Sequence, residues 1–196
     1  RKGLKVNEYG VFRTKTNPWI AGREEQDVYK AIGLAWIPPE LREDSGEVEA
    51  AKADRLPSLV EAKDIRGDFH IHTNWSDGSD RLEEMAQGGA SRGYQYLAIC
   101  DHSESLNIAH GMSVKRLRQQ MEQIRALNAH AKHFHLLMGA EVDILQDGSM
   151  DYPDEVLKEL DFVVGSVHTG FSQSESQITR RITSAMHNPY VTLIAH

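Results

Sequence analysis

Histidines and carboxylates recur at the ends of short apolar stretches in the later part of the sequence. The chain has ten histidines, and its apolar stretches near residues 68–72, 96–100, 136–142, 162–167 and 190–195 have the length and composition of buried strands. At, near or just after the ends of these stretches stand seven side chains able to bind a metal ion: His70, His72, Asp77, His102, Glu141, His168 and His196. The residue types and their positions predict a metal centre.

The mixture of side chains favours particular metals. Neutral imidazole and carboxylate together suit Zn²⁺, Mn²⁺ or Fe²⁺, whereas an all-oxygen set would suggest Mg²⁺ or Ca²⁺. Seven ligands exceed what one tetrahedral ion uses, so the set predicts more than one ion. His70 and His72 are two residues apart on a strand and are therefore expected on one face. Clustered ions generate hydroxide near neutral pH and bind phosphate oxygens, which indicates phosphoester hydrolysis.

The elements that must position these residues can be recognised between them. Apolar residues with helical spacing occur over 82–90, 113–128, 153–160 and 178–185, each between two strand candidates. Strands that alternate with helices predict βα units and a parallel sheet. Ligands bind at the carboxyl ends of parallel strands. The predicted fold class is therefore α/β, with the candidate ligands together on one rim.

Residues beside the candidate ligands are expected to support them or to pack. Asp68 and Asp101 are predicted to orient an imidazole rather than bind metal directly. Cys100, the single cysteine, is expected to be buried, and it excludes a disulfide within the chain. For His110, a surface position and a contact with substrate phosphate both stay open. Solvent-facing positions are expected for the remaining histidines and charged helix faces: His130, His133, His135, His187, 115–118 and 180–181.

Charge is distributed unevenly along the chain. Residues 1–66 hold 12 basic and 12 acidic side chains, whereas residues 67–196 hold 10 and 17 and carry the whole net charge of −7. An acidic segment lacks the cationic contacts that dominate nucleic-acid affinity, but it suits cations. No apolar run approaches the ~20 residues of a membrane span. The first residues lack a signal-peptide pattern, so no membrane partner is predicted. The single cysteine fits a reducing compartment.

The composition also indicates how the chain is divided. About 40 residues precede a run rich in Glu, Ala and Lys, which is too few for an independent domain. The predicted organisation is a small α+β segment, a charged linker and a metal-binding domain, at residues 1–43, 44–65 and 66–196.

Four motifs of the later part resemble the polymerase and histidinol phosphatase (PHP) domain family. They are D-F-H-I-H-T-N-W-S-D-G at 68–78, Y-L-A-I-C-D-H-S at 96–103, G-A-E-V-D at 139–143 and G-S-V-H at 165–168. The resemblance implies a distorted (β/α)7 barrel with up to three metals, Mn²⁺ and/or Zn²⁺, and no catalytic residue beyond the ligands. The family's final D-x-H has no counterpart before the sequence ends. The resemblance therefore implies a barrel that is incomplete at its C-terminus, with two strands missing.

The resemblance also implies which residues share an ion. The sets are His70, His72 and Glu141 for a first ion; Glu141, His168 and His196 for a second; and Asp77 and His102 for a third. The absent D-x-H would supply a further ligand to the first and third ions.

The segment before the linker resembles the end of the thumb of family X DNA polymerases. The resemblance is carried by L-K-V-N-E-Y-G-V-F-R at 4–13, I-A-G-R-E-E-Q-D-V-Y at 20–29 and W-I-P-P-E-L-R-E at 36–43. In bacterial and archaeal members a PHP domain follows the polymerase. The resemblance implies a 3′–5′ exonuclease or 3′-end-processing phosphodiesterase of a DNA repair polymerase. The implied partner is gapped DNA, bound through the full-length protein. The implied location is the prokaryotic cytoplasm, in association with the nucleoid. The palm aspartates of nucleotidyl transfer are absent from this sequence.

Two other functions stay open. One is a small-molecule phosphatase of the histidinol phosphatase type, against which the thumb-like segment counts. The other is a structural module that stabilises the polymerase without turnover, against which the full set of strand-end ligands counts.

Overall fold

The computed structural model describes residues 3–196 and divides into two compact units, Arg1–Val60 and Glu61–His196. Within the described residues, no helix is long and apolar enough to cross a membrane.

The first unit combines a small antiparallel sheet with a helix. The sheet has the order β1-β2-β3, and the helix α1 begins after a capping box at Glu24 and ends at Gly33, whose φ of 77° is readily adopted by glycine. The thumb-like motif at 4–13 forms two antiparallel strands joined by a tight turn. The elements are β1 (Leu4–Asn7), β2 (Gly10–Arg13), β3 (Trp19–Ala21) and α1 (Glu25–Ile32).

The predicted linker contains regular structure. Helix α2 (Glu47–Lys52) and a short 3-10 turn at Ala62–Asp64 lie within it, and another 3-10 turn, Pro39–Leu41, precedes it. Ala51 of α2 is buried, and its carbonyl accepts a hydrogen bond from the Ala35 amide at 3.2 Å. Helix α2 therefore packs within the first unit, while the domain boundaries at residues 43 and 66 stay predictions.

The second unit is a parallel sheet with helices between its strands, curled into a half-barrel. The strands are β4 (Gly67–Ile71), β5 (Tyr96–Ile99), β6 (His135–Asp143), β7 (Phe162–Ser166) and β8 (Leu193–Ile194), and they lie in chain order. The helices between them are α3 (Leu82–Ser91), α4 (Val114–His130), α5 (Asp154–Leu157) and α6 (Glu175–Met186). All four strand pairs are parallel, so the predicted α/β class and βα order are confirmed.

Helix α4 covers one face of the sheet with the residues that its periodicity predicts. Leu117, Met121 and Ile124 are fully buried, and each such side chain contributes about 1.5–3 kcal/mol of transfer free energy. The helix begins where Ser113 Oγ accepts a hydrogen bond from the Arg116 amide. The same stripe of the sequence therefore specifies both the helix and its buried face.

Helix α3 approaches the sheet closely through Gly89. A Cβ atom at this position would lie 2.8 Å from both Leu97 Cδ1 and Phe134 Cε2. The glycine lowers helix propensity by about 1 kcal/mol relative to alanine. The glycine suits this position because an added side chain would have to displace Leu97 or Phe134.

Arg181 on α6 corrects an expectation from the sequence. Its side chain is only 2% exposed, whereas the charged face at 180–181 predicted a solvent position. The guanidinium donates from Nε to the Ile144 carbonyl at 2.8 Å and from Nη1 to the Thr169 carbonyl at 2.7 Å. Nη1 also lies 3.2 Å from Gln173 Oε1. Burial is tolerated because these oxygens satisfy the donors of the cation.

Candidate metal centre

Glu141 lies at the centre of the predicted cluster. It is near the end of β6, and only 2% of its surface is exposed. One carboxylate oxygen, Oε2, is 3.0 Å from His70 Nε2, 3.4 Å from His72 Nε2 and 3.1 Å from His102 Nδ1. Three imidazoles from two strand ends therefore converge on one oxygen atom.

The other oxygen of Glu141 faces the ends of β7 and β8. Oε1 is 3.4 Å from His168 Nε2 and 3.6 Å from His196 Nε2, and it accepts a hydrogen bond from Ser166 Oγ at 2.6 Å. The His196 side chain is 60% exposed and lies at the edge of the cluster. Glu141 thus has the position of a bridge between two groups of imidazoles.

Asp77 completes the cluster from a loop. Its carboxylate oxygens lie 3.5 Å from His72 Nδ1 and 3.6 Å from His102 Nε2. The loop folds back on itself at Gly78, where an added Cβ would be 2.6 Å from the His72 carbonyl oxygen. All seven residues named from the sequence are therefore brought together.

Backbone geometry, rather than simple strand alternation, aims the first histidine. The register between β4 and β5 shifts between Asp68 and Ile71, so β4 has one more residue than its partner over this interval. His70 lies in this bulge with φ of 65°, in the left-handed region. Bulges redirect side chains in this way beside functional sites. With this bulge in the strand, His70 and His72 both lie beside Glu141.

Asp101 has contacts that differ from the predicted imidazole contact. Its fully buried carboxylate accepts hydrogen bonds from the Thr73 amide at 2.7 Å, Thr73 Oγ1 at 2.6 Å, Ser76 Oγ at 2.5 Å and Gln120 Nε2 at 2.6 Å. These donors belong to α4 and to the loop that follows His72. Asp101 therefore holds the loop that carries Asp77. Asp68 accepts a hydrogen bond from the adjacent Phe69 amide at 2.9 Å.

Asp143, which the sequence analysis did not single out, is the carboxylate that orients an imidazole. It is 2% exposed, and its Oδ1 is hydrogen-bonded to His168 Nδ1. Ser105 Oγ donates to Oδ2 at 2.8 Å. Because a carboxylate can only accept, Nδ1 donates in this contact, and Nε2 of His168 is the ring nitrogen that faces Glu141. Asp143 follows Glu141 by two residues on β6, and this spacing could have identified it.

The chemistry of the donors fits a metal ion. Within residues 3–196, the buried side-chain polar atoms without a hydrogen-bond partner are His70 Nε2, His72 Nδ1, His102 Nδ1 and Gln120 Oε1. Such atoms are rare in folded proteins and need an explanation. Three of the four belong to the cluster and lie beside carboxylates, as metal ligands do.

The protonation states of His102 and Glu141 also favour metal binding. Burial lowers the pKa of the His102 imidazole, and this effect exceeds the opposing influence of the nearby Glu141. Burial raises the pKa of the Glu141 carboxyl, but the hydrogen bond from Ser166 and the neighbouring His70 outweigh it and hold the pKa below its usual value. Neutral imidazole and ionised carboxylate are the forms that bind metal.

Three sets of these residues have ligand atoms within 4.8 Å of one another. They are His70, His72 and Glu141; His72, Asp77 and His102; and His102, Glu141 and His168. The first set has the composition implied for the first ion. In the other two, His72 and His102 are shared between neighbouring sets, which the resemblance did not imply.

The remaining predicted positions are straightforward. Cys100 is buried as expected, and burial raises the pKa of its thiol to about 12, so it is an inert packing residue. The other histidines, His110, His130, His133, His135 and His187, are exposed. For His110, which has a left-handed backbone with φ of 57°, the surface position is the observed one.

Comparison with known proteins identifies the family. Residues 68–195 match the PHP domain, and residues 1–43 match the DNA polymerase beta thumb. The chain therefore belongs to the PHP domain family, and the expectation of a metal-dependent phosphoesterase is confirmed at that level.

Individual relatives are consistent with both matches. DNA polymerase/3'-5' exonuclease PolX of Bacillus subtilis (strain 168) is 44% identical over 195 residues, which are 100% of this chain and 34% of that protein. A probable phosphatase of Thermoanaerobacter sp. (strain X514) is 30% identical over 135 residues, 66% of this chain and 52% of the relative. The chain thus spans between a third and about half of their lengths. Histidinol phosphate phosphatase from Lactococcus lactis, solved with zinc, L-histidinol and phosphate, gives a TM-score of 0.43 at 13% identity, covering 67% of this chain and 57% of that one.

Asp143→Asn is expected to weaken zinc binding about 10–100-fold, the usual effect of losing a carboxylate that orients a metal-binding imidazole. The measurement is competition for Zn²⁺ with a chromophoric chelator in the full-length protein. Asp151→Asn is the matched control, because Asp151 accepts from the Ser105 amide at 2.8 Å and so touches the same loop without meeting an imidazole. Equal losses in both variants would assign Asp143 to the loop and not to His168.

Proposed function

We propose that the second unit is a metal-dependent phosphodiesterase that removes nucleotides from DNA 3′ ends. The observation that carries the proposal is the buried Glu141 carboxylate, surrounded by five imidazoles whose facing nitrogens lie 3.0–3.6 Å away. The proposed ligands of Mn²⁺ or Zn²⁺ are the seven residues of the cluster: His70, His72, Asp77, His102, Glu141, His168 and His196.

Each part of the site has a role in this proposal. Glu141 and the surrounding imidazoles would hold the ions. Asp143 orients His168 through Nδ1, so that Nε2 faces the centre. Asp101 holds the loop through Thr73 and so places Asp77 beside His72 and His102 of the cluster. When bound, the metal supplies an activated water and positive charge for the phosphate oxygens.

DNA is the proposed substrate because of the segment that precedes the domain in this chain and because of the name of a relative. Residues 1–43 match a DNA polymerase thumb, and the Bacillus subtilis relative is named both polymerase and 3'-5' exonuclease. Residues 67–196 are acidic, so most DNA affinity is expected from other parts of the full-length protein. The full-length protein would act on chromosomal DNA at the nucleoid.

A small-molecule phosphatase is the second candidate function. It is favoured by the Thermoanaerobacter relative, which is named a probable phosphatase. That similarity covers 66% of this chain, whereas the similarity to the Bacillus protein covers all of it, thumb-like residues included. The nuclease therefore has the stronger support.

Removal of metal tests the proposal. Chelation with EDTA is expected to abolish release of 3′ nucleotides by the full-length protein, and Mn²⁺ or Zn²⁺ should restore it, because the proposed reaction needs the water activation and positive charge that the metal supplies. The assay follows 3′-labelled single-stranded DNA, with histidinol phosphate and p-nitrophenyl phosphate as parallel substrates. Faster turnover of the phosphomonoesters would favour the phosphatase. Absence of turnover on every substrate, with metal bound, would favour a structural module.

A further inference from the structure

A cavity of about 370 Å³ adjoins the imidazole cluster at the ends of β7 and β8. Two of its lining residues, His168 and His196, belong to the cluster itself, and the others are Val167, Phe171, Ile178 and Ile182. Apart from the two imidazoles the wall is hydrocarbon and aromatic. Polar ligands of the centre therefore border directly on an apolar space.

Phe171 is the unusual member of this wall. Its side chain is 74% exposed, although a phenyl ring gains most from burial. The ring stands on the loop between β7 and α6, immediately after Gly170, whose φ of 72° turns the chain. A Cβ at Gly170 would lie 3.1 Å from Arg181 Nη1, so the turn is packed against the buried guanidinium.

The loop that carries Phe171 is held by several hydrogen bonds. The buried Arg181 donates to the Thr169 carbonyl at 2.7 Å and lies 3.2 Å from Gln173 Oε1, on either side of Phe171. Gln173 Nε2 donates to the Gln146 carbonyl at 3.0 Å. An exposed ring on a tethered loop is preorganised for contact, because little conformational entropy is lost when a ligand stacks on it.

We propose that this cavity binds the base of the 3′-terminal nucleotide and that Phe171 is its stacking platform. The inference rests on the proposed nuclease function and names where the nucleoside beside the scissile phosphate goes. A phosphate at His168 and His196 places its nucleoside next to the uncharged wall. Aromatic side chains accept any base by stacking, which suits an exonuclease without sequence preference. The cavity is also within the usual size range of small-ligand sites.

The test compares two DNA strands of one sequence, ending in thymidine or in a tetrahydrofuran abasic nucleotide. The full-length protein with Mn²⁺ is expected to have a higher kcat/KM on the thymidine end. Phe171→Ala should reduce the ratio of the two kcat/KM values about tenfold, within the range for loss of one base–aromatic stack. Phe171→Trp should keep the ratio. Met186→Ala, which removes an exposed apolar side chain elsewhere on α6, is the matched control and should also keep it.

Other outcomes overturn the inference. An unchanged ratio in Phe171→Ala would remove the stacking role. Equal losses on both ends, together with a lower melting temperature, would show that another protein segment covers the ring. If the unmodified protein releases a nucleotide from neither end, the nuclease proposal itself fails, and the base site fails with it.

Discussion

Glu141→Gln in the full-length protein is expected to lower 3′-nucleotide release by more than about 100-fold, because loss of a mere supporting carboxylate already costs 10–100-fold. Glutamine keeps the shape of the side chain but removes the negative charge that five imidazoles face. It also offers an amide nitrogen, a donor, where a metal needs an oxygen acceptor. The same change should reduce the number of tightly bound metal ions, measured by mass spectrometry of the dialysed protein.

Two controls separate this effect from general damage. Glu122→Gln, on the exposed face of α4, makes the same chemical change away from the centre and should keep full activity. Gap filling by the polymerase part should persist in Glu141→Gln, because Glu141 belongs to the second unit. A parallel, equal loss of polymerisation in a folded variant would show that the two activities do not have separate sites.

Asp101→Ala is expected to destabilise the second unit by about 3–5 kcal/mol, since it removes the acceptor of several buried charge-assisted hydrogen bonds. The donors on Thr73, Ser76 and Gln120 would lose this acceptor in a buried setting. Thermal unfolding in EDTA, which excludes any contribution from metal binding, should show a fall in melting temperature of about 10 °C or more.

Asp101→Asn provides the graded comparison for this prediction. The amide preserves volume and one acceptor, and the hydroxyls of Thr73 and Ser76 can reorient, so the loss of stability should be smaller than in alanine. Activity should fall in both variants, because Asp77 is carried by the loop that Asp101 holds. A melting temperature within about 2 °C of the unmodified protein for Asp101→Ala would refute the network's importance.

The positions of the candidate ligands could be predicted because one topological rule governs them. Parallel strands in chain order place their carboxyl ends on one rim, so recognising the βα rhythm was enough to bring His102, Glu141 and His168 together. The helices followed from periodicity in the same way, as the buried face of α4 shows. Local patterns are informative wherever one face of an element is buried.

The features that the sequence did not predict have a common physical origin. The position of a buried polar residue depends on hydrogen-bond partners that are distant in sequence. Asp101 adjoins His102 in the chain, but its carboxylate accepts a hydrogen bond from Thr73 on the neighbouring loop. Arg181 is buried because carbonyls of Ile144 and Thr169 happen to meet it, and no helical pattern encodes those partners. The bulge at His70 likewise depends on register with β5, which neither strand contains alone.

The left-handed backbone of His70 lowers the stability of the fold, although the centre needs the imidazole that it positions. A non-glycine residue in this conformation costs roughly 1–2 kcal/mol, and histidine is one of the few side chains found there with some frequency. Glycine would relieve the chain at this position, so mutation without selection for hydrolysis should drift toward it. A histidine at residue 70 is therefore kept only while its imidazole is in use. In distant homologues, the residue at this position would indicate whether the domain still catalyses hydrolysis.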